Sequence, residues 1–219
     1  MYETDDWSER LARWDEARTR LRLRVYPDAW VAQRRAVIAR ADYPGLQAVA
    51  VLDLPKAVAL VTPEHLACWN QSNDDVLAFA LANSLAEVTE SEVQLRGQVG
   101  LVLVHGEHMY TSAHSLAPER HLPNLGRAGA IVSLPCRDLV LLHRVGQAPL
   151  DLALMTMGEL TRAAKEADSA ALSADLFWFR GLGAKPVRIG TSEGVSFVTA
   201  IADEQVMREM RAIALTHAG

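Results

Sequence analysis

The stretch GAIVSLPCRDLVLLHRV, residues 129–145, places an arginine beside an aspartate where two apolar runs meet. Asp138 can accept backbone N–H groups and so fix a tight turn, which is the commoner role of aspartate in loops. Arg137 can present its guanidinium fork to a carboxylate or a phosphate. Arg137 and Asp138 are therefore the first candidates for a binding site, with a purely structural turn as the alternative.

Three further polar side chains are candidates to share a cleft with Arg137. They are Ser112 and His114, in the stretch MYTSAHSL, and Asn83, in the stretch ALANSL. Hydroxyl, imidazole and amide groups can donate hydrogen bonds to an anion, and the imidazole can also exchange protons. The sequence does not bring these residues together, so a site that joins them to Arg137 and Asp138 is a hypothesis about the tertiary structure.

Two other histidines, His105 and His108, flank Gly106-Glu107. We expect a two-residue hairpin there, which would make the two imidazoles cross-strand neighbours. His114 falls on the same face by alternation, but it lies too far along the strand for a site whose ligands must converge at about 2.0–2.3 Å. The sequence therefore predicts exposed histidines beside a turn and no metal site.

Motifs for catalysis or for a cofactor are missing from the sequence. It contains no G-x-S-x-G elbow, no phosphate loop of the G-x-x-x-x-G-K type and no H-E-x-x-H. The triplet Gly181-Leu182-Gly183 begins like a dinucleotide fingerprint, but Pro186 spoils the helix that would hold the phosphate. Cys136 is expected to be a half-buried turn residue. We therefore expect no catalytic residue and no cofactor.

The composition is that of a globular chain with unevenly placed charge. The 219 residues are 50% apolar and 22% charged, and the net charge is -5. Residues 18–40 hold seven arginines and one acid, Asp28. Such a basic segment can attract nucleic acid, or it can dock on its own domain or on a second copy. Overall acidity and the lack of a zinc-finger or RNA-binding signature argue against nucleic acid.

Other features bear on the location of the protein. No apolar run approaches the roughly 18 residues that a spanning helix needs. The first residues, MYETDDWSERLARW, are acidic and lack the apolar core of an export signal. The two cysteines, Cys68 and Cys136, match no paired motif. We therefore expect a cytoplasmic protein with reduced thiols and no membrane contact.

The N-terminal stretch is expected to form a helical arm over residues 1–45. Trp7, Leu11 and Trp14 belong to an apolar stripe at helical spacing over residues 5–25, although residues 19–26 also alternate as a strand would. Residues 28–41 read as a second helix. A single compact α+β domain is expected to follow over residues 46–219.

Hairpins and helices then alternate along the chain. We expect hairpins at 46–62, at 93–115 around Gly106-Glu107, and at 130–145 around Pro135–Asp138. Helices are expected to begin after the caps Thr62 and Ser72, and again over residues 150–167 and 203–216. Residues 172–190 and 195–201 supply further strands. The absence of regular βαβ alternation predicts an α+β fold, with a mostly antiparallel sheet built from hairpins and helices packed on one face.

Five segments follow one another between about Leu46 and Gly190: AVLDLPKAVALVTPEHLACW, ALANSL, MYTSAHSL, IVSLPCRDLVLL and LSADLFWFRG. In this order they resemble the YtpQ-like family of bacterial proteins of unknown function. The resemblance covers roughly two-thirds of the chain and implies an architecture without a mechanism. The chain departs from the family pattern at Ser84, where the family tends to continue Asn-Leu.

Aromatic side chains suggest a contact surface. Phe177 and Phe179 alternate onto one face of a strand and leave Trp178 on the other. A strand that is hydrophobic on both faces is covered either by its own domain or by another subunit. With Trp7 and Trp14, Trp178 is therefore the expected contact for a homodimer or for another protein partner.

The sequence thus predicts a binding or interaction module without evident catalytic machinery. The first alternative is an enzyme that acts on an anionic small molecule, in which Arg137 holds the anion and Ser112, His114 or Cys136 reacts. The second alternative is nucleic-acid binding through the arginine-rich N-terminal stretch.

Overall fold

The protein forms two antiparallel sheets, with the longer helices packed against one face of each sheet. The computed structural model describes residues 11–34, 36–87, 89–96, 98–168, 171–181, 184–192, 199–200 and 202–216. The helices are α1 (Trp14–Arg20), α2 (Asp28–Ala32), α3 (Pro63–Trp69), α4 (Asn73–Leu85), α5 (Leu150–Ala167) and α6 (Glu204–Thr216). The strands are β1 (Leu21–Pro27), β2 (Ala39–Tyr43), β3 (Leu46–Leu54), β4 (Ala57–Leu60), β5 (Glu90–Arg96), β6 (Val99–His105), β7 (Ala130–Ser133), β8 (Leu139–Arg144), β9 (Asp175–Phe179), β10 (Val187–Thr191) and β11 (Thr199–Ala200).

The smaller sheet is built around β3. Strand β1 pairs with one edge of β3, while β2 and β4 pair with successive parts of the other edge. Leu21, Leu23 and Val25 of β1 are buried, whereas Arg22 and Arg24, which alternate with them, remain partly exposed. Helix α4 covers the face that carries Leu21 and Leu23.

The expected helical arm over residues 1–45 is only partly present. Helix α1 forms, but the alternating stretch that follows it becomes β1, and the expected second helix over residues 28–41 ends at Ala32. Strands β1 and β2 flank β3, so most of this stretch belongs to the smaller sheet. Apolar residues at every second position favour a strand where a neighbouring strand is present to pair with it. The local sequence does not show whether such a neighbour exists. Trp7 lies outside the described residues.

Trp14 on α1 packs against the body of its own chain. Its ring centroid lies 5.6 Å from that of Trp69 and 5.3 Å from that of Phe79. The indole Nε1 of Trp69 donates to the backbone oxygen of Leu11. Helix α1 is therefore docked on α3 and α4 rather than extended away from them.

The larger sheet has seven strands in the order β11-β10-β9-β7-β8-β6-β5, and every neighbouring pair is antiparallel. Helices α5 and α6 cover one face, through Met157, Met210 and their neighbours. The other face packs on residues of the smaller sheet, including Val25 and Tyr43. The α+β fold with antiparallel sheets and packed helices is confirmed.

Trp178 lies in the core beneath α5 and α6. It is 0% exposed, and its indole Nε1 donates to the backbone oxygen of Ala128 at 2.9 Å. Strand β9 is hydrophobic on both faces because its own domain covers it: helices α5 and α6 pack over Trp178. A protein partner remains a prediction, but Trp178 does not offer it a surface.

Several local expectations are confirmed. The hairpins β3–β4 and β7–β8 form where the apolar runs place them, with Pro55-Lys56 and Pro135–Asp138 as their joints. Helix α3 begins after a capping box that involves Thr62. Helix α4 begins after Ser72, whose hydroxyl oxygen accepts the backbone N–H of Asp75.

The expected hairpin around Gly106-Glu107 is wrong. Strand β5 pairs with β6 from Glu90↔His105 to Arg96↔Val99, so the hairpin partner of β6 precedes it in the chain. Residues 111–116 form a 3₁₀ helix instead of a strand. The chain leaves the sheet at Gly106, whose N–H bonds to the backbone oxygen of Asp138. His105 and His108 are consequently not cross-strand neighbours.

The described helices include none that is long and apolar enough to cross a membrane.

Ser84 joins α4 to the free edge of β1. Its hydroxyl oxygen accepts the backbone N–H of Leu23 at 2.7 Å, and the side chain is 0% exposed. We predict that Ser84→Ala lowers the free energy of unfolding in urea by about 1–3 kcal/mol, because a buried N–H loses its acceptor. The matched control is Thr19→Ala, which removes an exposed hydroxyl bonded to Glu16. Equal stability of the two variants would contradict this account.

Candidate functional site

The joint between β7 and β8 organises the candidate site. The backbone N–H of Ser112 donates to the backbone oxygen of Arg137 at 2.9 Å, and that of Gly106 donates to the backbone oxygen of Asp138 at 3.2 Å. These two bonds hold residues 106–112 against the joint. The side chains of the joint then diverge. Arg137 reaches the ring of Tyr26, whereas Cys136 and Asp138 line a cleft.

On the first side, three arginines surround two tyrosines. We call this group, Arg22, Arg24, Tyr26, Tyr110 and Arg137, the arginine–tyrosine cluster. The guanidinium carbons of Arg22 and Arg24 lie 6.0 and 5.1 Å from the ring centroid of Tyr110. That of Arg137 lies 5.0 Å from the centroid of Tyr26, and Nη1 of Arg24 donates to the hydroxyl of Tyr26 at 3.4 Å.

The two rings are held by the fold. The centroid of Tyr26 lies 3.8 Å from that of Trp30, with the rings nearly parallel at 12°. Tyr110 is 4% exposed. Burial, followed by the nearby carboxylate of Asp53, raises the pKa of Tyr110, so its phenol stays protonated at neutral pH. Both rings are therefore fixed surfaces for the guanidinium groups.

The three arginines differ in their partners. Arg22 Nε donates to a carboxylate oxygen of Glu87 at 2.5 Å, and Nη1 donates to two backbone oxygens. Among the described residues, no carboxylate lies within 4.0 Å of a nitrogen of Arg24 or Arg137. The Nε atoms of Arg24 and Arg137 are buried, and neither donates a hydrogen bond to any of the described residues. The Ser112 hydroxyl is likewise buried without a partner.

The cleft on the second side of the joint has a volume of about 900 Å³. Its wall includes Cys136, Asp138 and Asp168, the residue that follows α5. Burial, together with the carboxylates of Asp138 and Asp168, raises the pKa of the Cys136 thiol. Cys136 is thus a protonated thiol at neutral pH and not an activated nucleophile.

The five residues suggested by the sequence do not meet in one site. Arg137 and Ser112 are adjacent through their backbones, and Asp138 faces the cleft on the other side. Asn83 is structural, because its Nδ2 donates to the backbone oxygens of Arg18 and Leu21 at the end of α1. Within the described residues, the carboxylate of Asp138 accepts no backbone N–H, so the expected turn-fixing bond is not formed.

His114 belongs to a separate hydrogen-bonded chain. Its Nδ1 lies 2.8 Å from Nε2 of His121, and Nδ1 of His121 lies 2.7 Å from the hydroxyl of Ser91. Burial, then the neighbouring His121 and Arg120, lower the pKa of His114 to about 4. Both imidazoles are therefore neutral at neutral pH, and a single proton lies between them.

The reactive groups of the enzyme alternative are also dispersed. Cys136 lines the cleft, the Ser112 hydroxyl is buried away from it, and His114 bonds to His121. This arrangement lacks the convergence of nucleophile and base that catalysis requires. The arginine-rich stretch is partly neutralised as well, through the ion pairs Arg18–Asp15, Arg22–Glu87 and Arg40–Asp42.

Sequence reasoning missed Arg22, Arg24, Tyr26 and Asp168 as site residues. The first three occupy alternate positions of one strand, so reading residues 19–26 as a strand would have placed them on one face. Asp168 reaches the cleft only through the packing of α5, and no local signal marks it.

Comparison with protein-family models, with curated proteins and with solved structures finds no match for this chain. The resemblance to the YtpQ-like family therefore stays a prediction, and the chemistry of the site must come from its geometry.

The His114 imidazole predicts a specific acid sensitivity. Its pKa falls from 6.5 to about 4 on folding. The unfolded chain therefore binds the proton first, and stability is lost as the pH drops from 6.5 towards 4, by at most about 1.4 kcal/mol per pH unit. We expect His114→Gln to show a shallower loss of unfolding free energy in urea over this range. The exposed His105→Gln variant is the control, and identical slopes for all three proteins would contradict the assignment.

Proposed function

We propose that the protein is a binding module for an anionic ligand of the carboxylate or phosphate class, held by the arginine–tyrosine cluster. The observation that carries the proposal is the pair of guanidinium groups of Arg24 and Arg137. Both contact Tyr26, and both bury an Nε without an acceptor.

The unpaired hydrogen-bond donors of a stacked guanidinium favour an anionic ligand. A tyrosine ring covers the face of the guanidinium plane, but the N–H groups lie in that plane and still need acceptors. A buried N–H without an acceptor costs about 1–3 kcal/mol. Carboxylate and phosphate oxygens match the arginine fork in two-point contacts and would supply the missing acceptors.

The local charge supports the same conclusion. Arg22 is neutralised by Glu87, whereas no carboxylate of the described residues lies within 4.0 Å of a nitrogen of Arg24 or Arg137. Two partly buried cations that contact one ring repel each other, since water screens them weakly there. An anion beside them would reduce the repulsion and supply acceptors for the guanidinium N–H groups.

A structural role for Arg137 is the alternative. In that case the cation–π contact with Tyr26 would stabilise the joint by about 0.5–1 kcal/mol, and no ligand would be needed. The two roles differ in how the empty protein responds to the loss of Arg137.

We predict that inorganic phosphate or succinate raises the Tm of the wild-type protein by about 3 °C or more at saturation, because a ligand that binds only the folded state stabilises it. The variants Arg137→Gln and Arg24→Gln should lose most of this shift. Arg137→Lys should lose it in part, because it keeps the charge but lacks the Nε donor. The control is Arg96→Gln, which makes the same charge change at an exposed position of β5.

The same variants distinguish the structural alternative. At low ionic strength without ligand, Arg137→Gln should keep the free energy of unfolding within about 0.5 kcal/mol of wild type or raise it. A loss of several kcal/mol, together with an unchanged response to phosphate, would assign Arg137 to the scaffold and reject anion binding.

A further inference from the structure

The cleft on the other side of the joint carries a different chemistry. Its walls are the end of β6, residues 106–108, the joint itself and the C-terminal end of α5. The lining includes a thiol, four carboxylates and two imidazoles, and it includes no lysine or arginine; these groups belong to Cys136, Asp138, Asp168, Glu90, Glu107, His105 and His108. Every one of these polar side chains is a common metal ligand.

We propose that the cleft binds a thiophilic divalent cation of the Zn²⁺ type, with Cys136, Asp138 and Asp168 as its protein ligands. The thiol sulfur and one oxygen of each carboxylate all lie within 4.8 Å of one another. In a tetrahedral zinc site with Zn–S of about 2.3 Å and Zn–O of about 2.0–2.2 Å, neighbouring ligand atoms are roughly 3–4 Å apart. Small rotations of the three side chains would bring the ligand atoms from separations of up to 4.8 Å to this spacing.

The fold gives the three ligands a fixed backbone. Cys136 and Asp138 both lie on the joint and both line the cleft, and the backbone oxygen of Asp138 accepts the N–H of Gly106. Asp168 is held at the end of α5, which is packed along its length on the larger sheet. The ligands therefore come from two elements of one core.

The surroundings of Cys136 support the same site. Cys136 is 5% exposed and lines the cleft, and its thiol hydrogen-bonds to the carboxylates of Asp138, which is exposed, and Asp168, which is half-buried. The three groups therefore already face one another across a cleft that is open to solvent on the side of Asp138. A divalent ion would replace the thiol proton and offset two of the three negative charges of the thiolate and both carboxylates.

The donor set selects the class of ion. A thiolate disfavours Mg²⁺ and Ca²⁺, which prefer oxygen ligands, and favours Zn²⁺ and its analogue Co²⁺. Three protein ligands leave a fourth position for water or for another molecule, as in zinc sites that carry out chemistry. His105 and His108 also line the cleft.

This site is independent of the proposed anion site, because the two lie on opposite sides of the joint. Loss of one should leave the other intact. The variant Arg137→Gln should keep metal binding, and Asp168→Asn should keep the response to phosphate.

The test is a titration of the purified, chelator-treated protein with Co²⁺, followed by absorption. Wild type should show a thiolate-to-cobalt charge-transfer band in the near ultraviolet with a stoichiometry of one ion per chain. Cys136→Ser should abolish the band, and Asp138→Asn or Asp168→Asn should weaken binding by about tenfold or more. The matched control is Cys68→Ser, which removes the exposed second thiol and should change nothing.

Proton release gives a measurement that does not depend on the cysteine variant folding. Calorimetric titration of wild type with Zn²⁺ in buffers of different ionisation enthalpy should report about one proton released per ion, because the thiol must ionise to bind. Asp168→Asn keeps the thiol and should bind more weakly with the same release.

Three outcomes would overturn the proposal. The first is no saturable Co²⁺ binding by wild type, and the second is a charge-transfer band that disappears in Cys68→Ser instead. The third is cobalt absorption without the thiolate band and without proton release, which would assign the ion to the histidines of the cleft.

Discussion

Two backbone hydrogen bonds, from Ser112 to Arg137 and from Gly106 to Asp138, hold the chain that leaves β6 across the joint between β7 and β8. Without them, residues 106–112 would be free of the sheet, because β6 has already ended at His105. With them, Tyr110 is placed on the smaller sheet, and residues 105–108 form part of the cleft wall. The paired backbone groups thus determine the position of side chains on both sides of the joint.

The joint itself separates opposite charges over three residues. Arg137 projects towards Tyr26, while Cys136 and Asp138 project towards the cleft. One side of the joint therefore gathers guanidinium groups, and the other gathers a thiol and carboxylates. Electrostatics favours an anion on the first side and a cation on the second. An arginine next to an aspartate is useful here because the two do not pair with each other.

The buried polar groups elsewhere serve the fold. Ser84 satisfies an N–H at the free edge of β1, and Asn83 accounts for two backbone oxygens at the end of α1. Together they attach α4 to the strand that carries Arg22 and Arg24. The Ser84 hydroxyl therefore has a specific structural use. The scaffold and the arginine–tyrosine cluster are therefore connected through β1.

Local sequence was sufficient for the elements whose signals are local. Caps at Thr62 and Ser72, the turn at Pro135–Asp138 and the span of α5 depend on neighbouring residues only, and each was predicted correctly. Tertiary structure alone decided three other features: that residues 21–27 are a strand, that Trp178 is covered by α5 and α6, and that Asp168 lies beside Cys136. Each of these depends on contacts between residues far apart in the chain, and the energy of such contacts is absent from any local pattern.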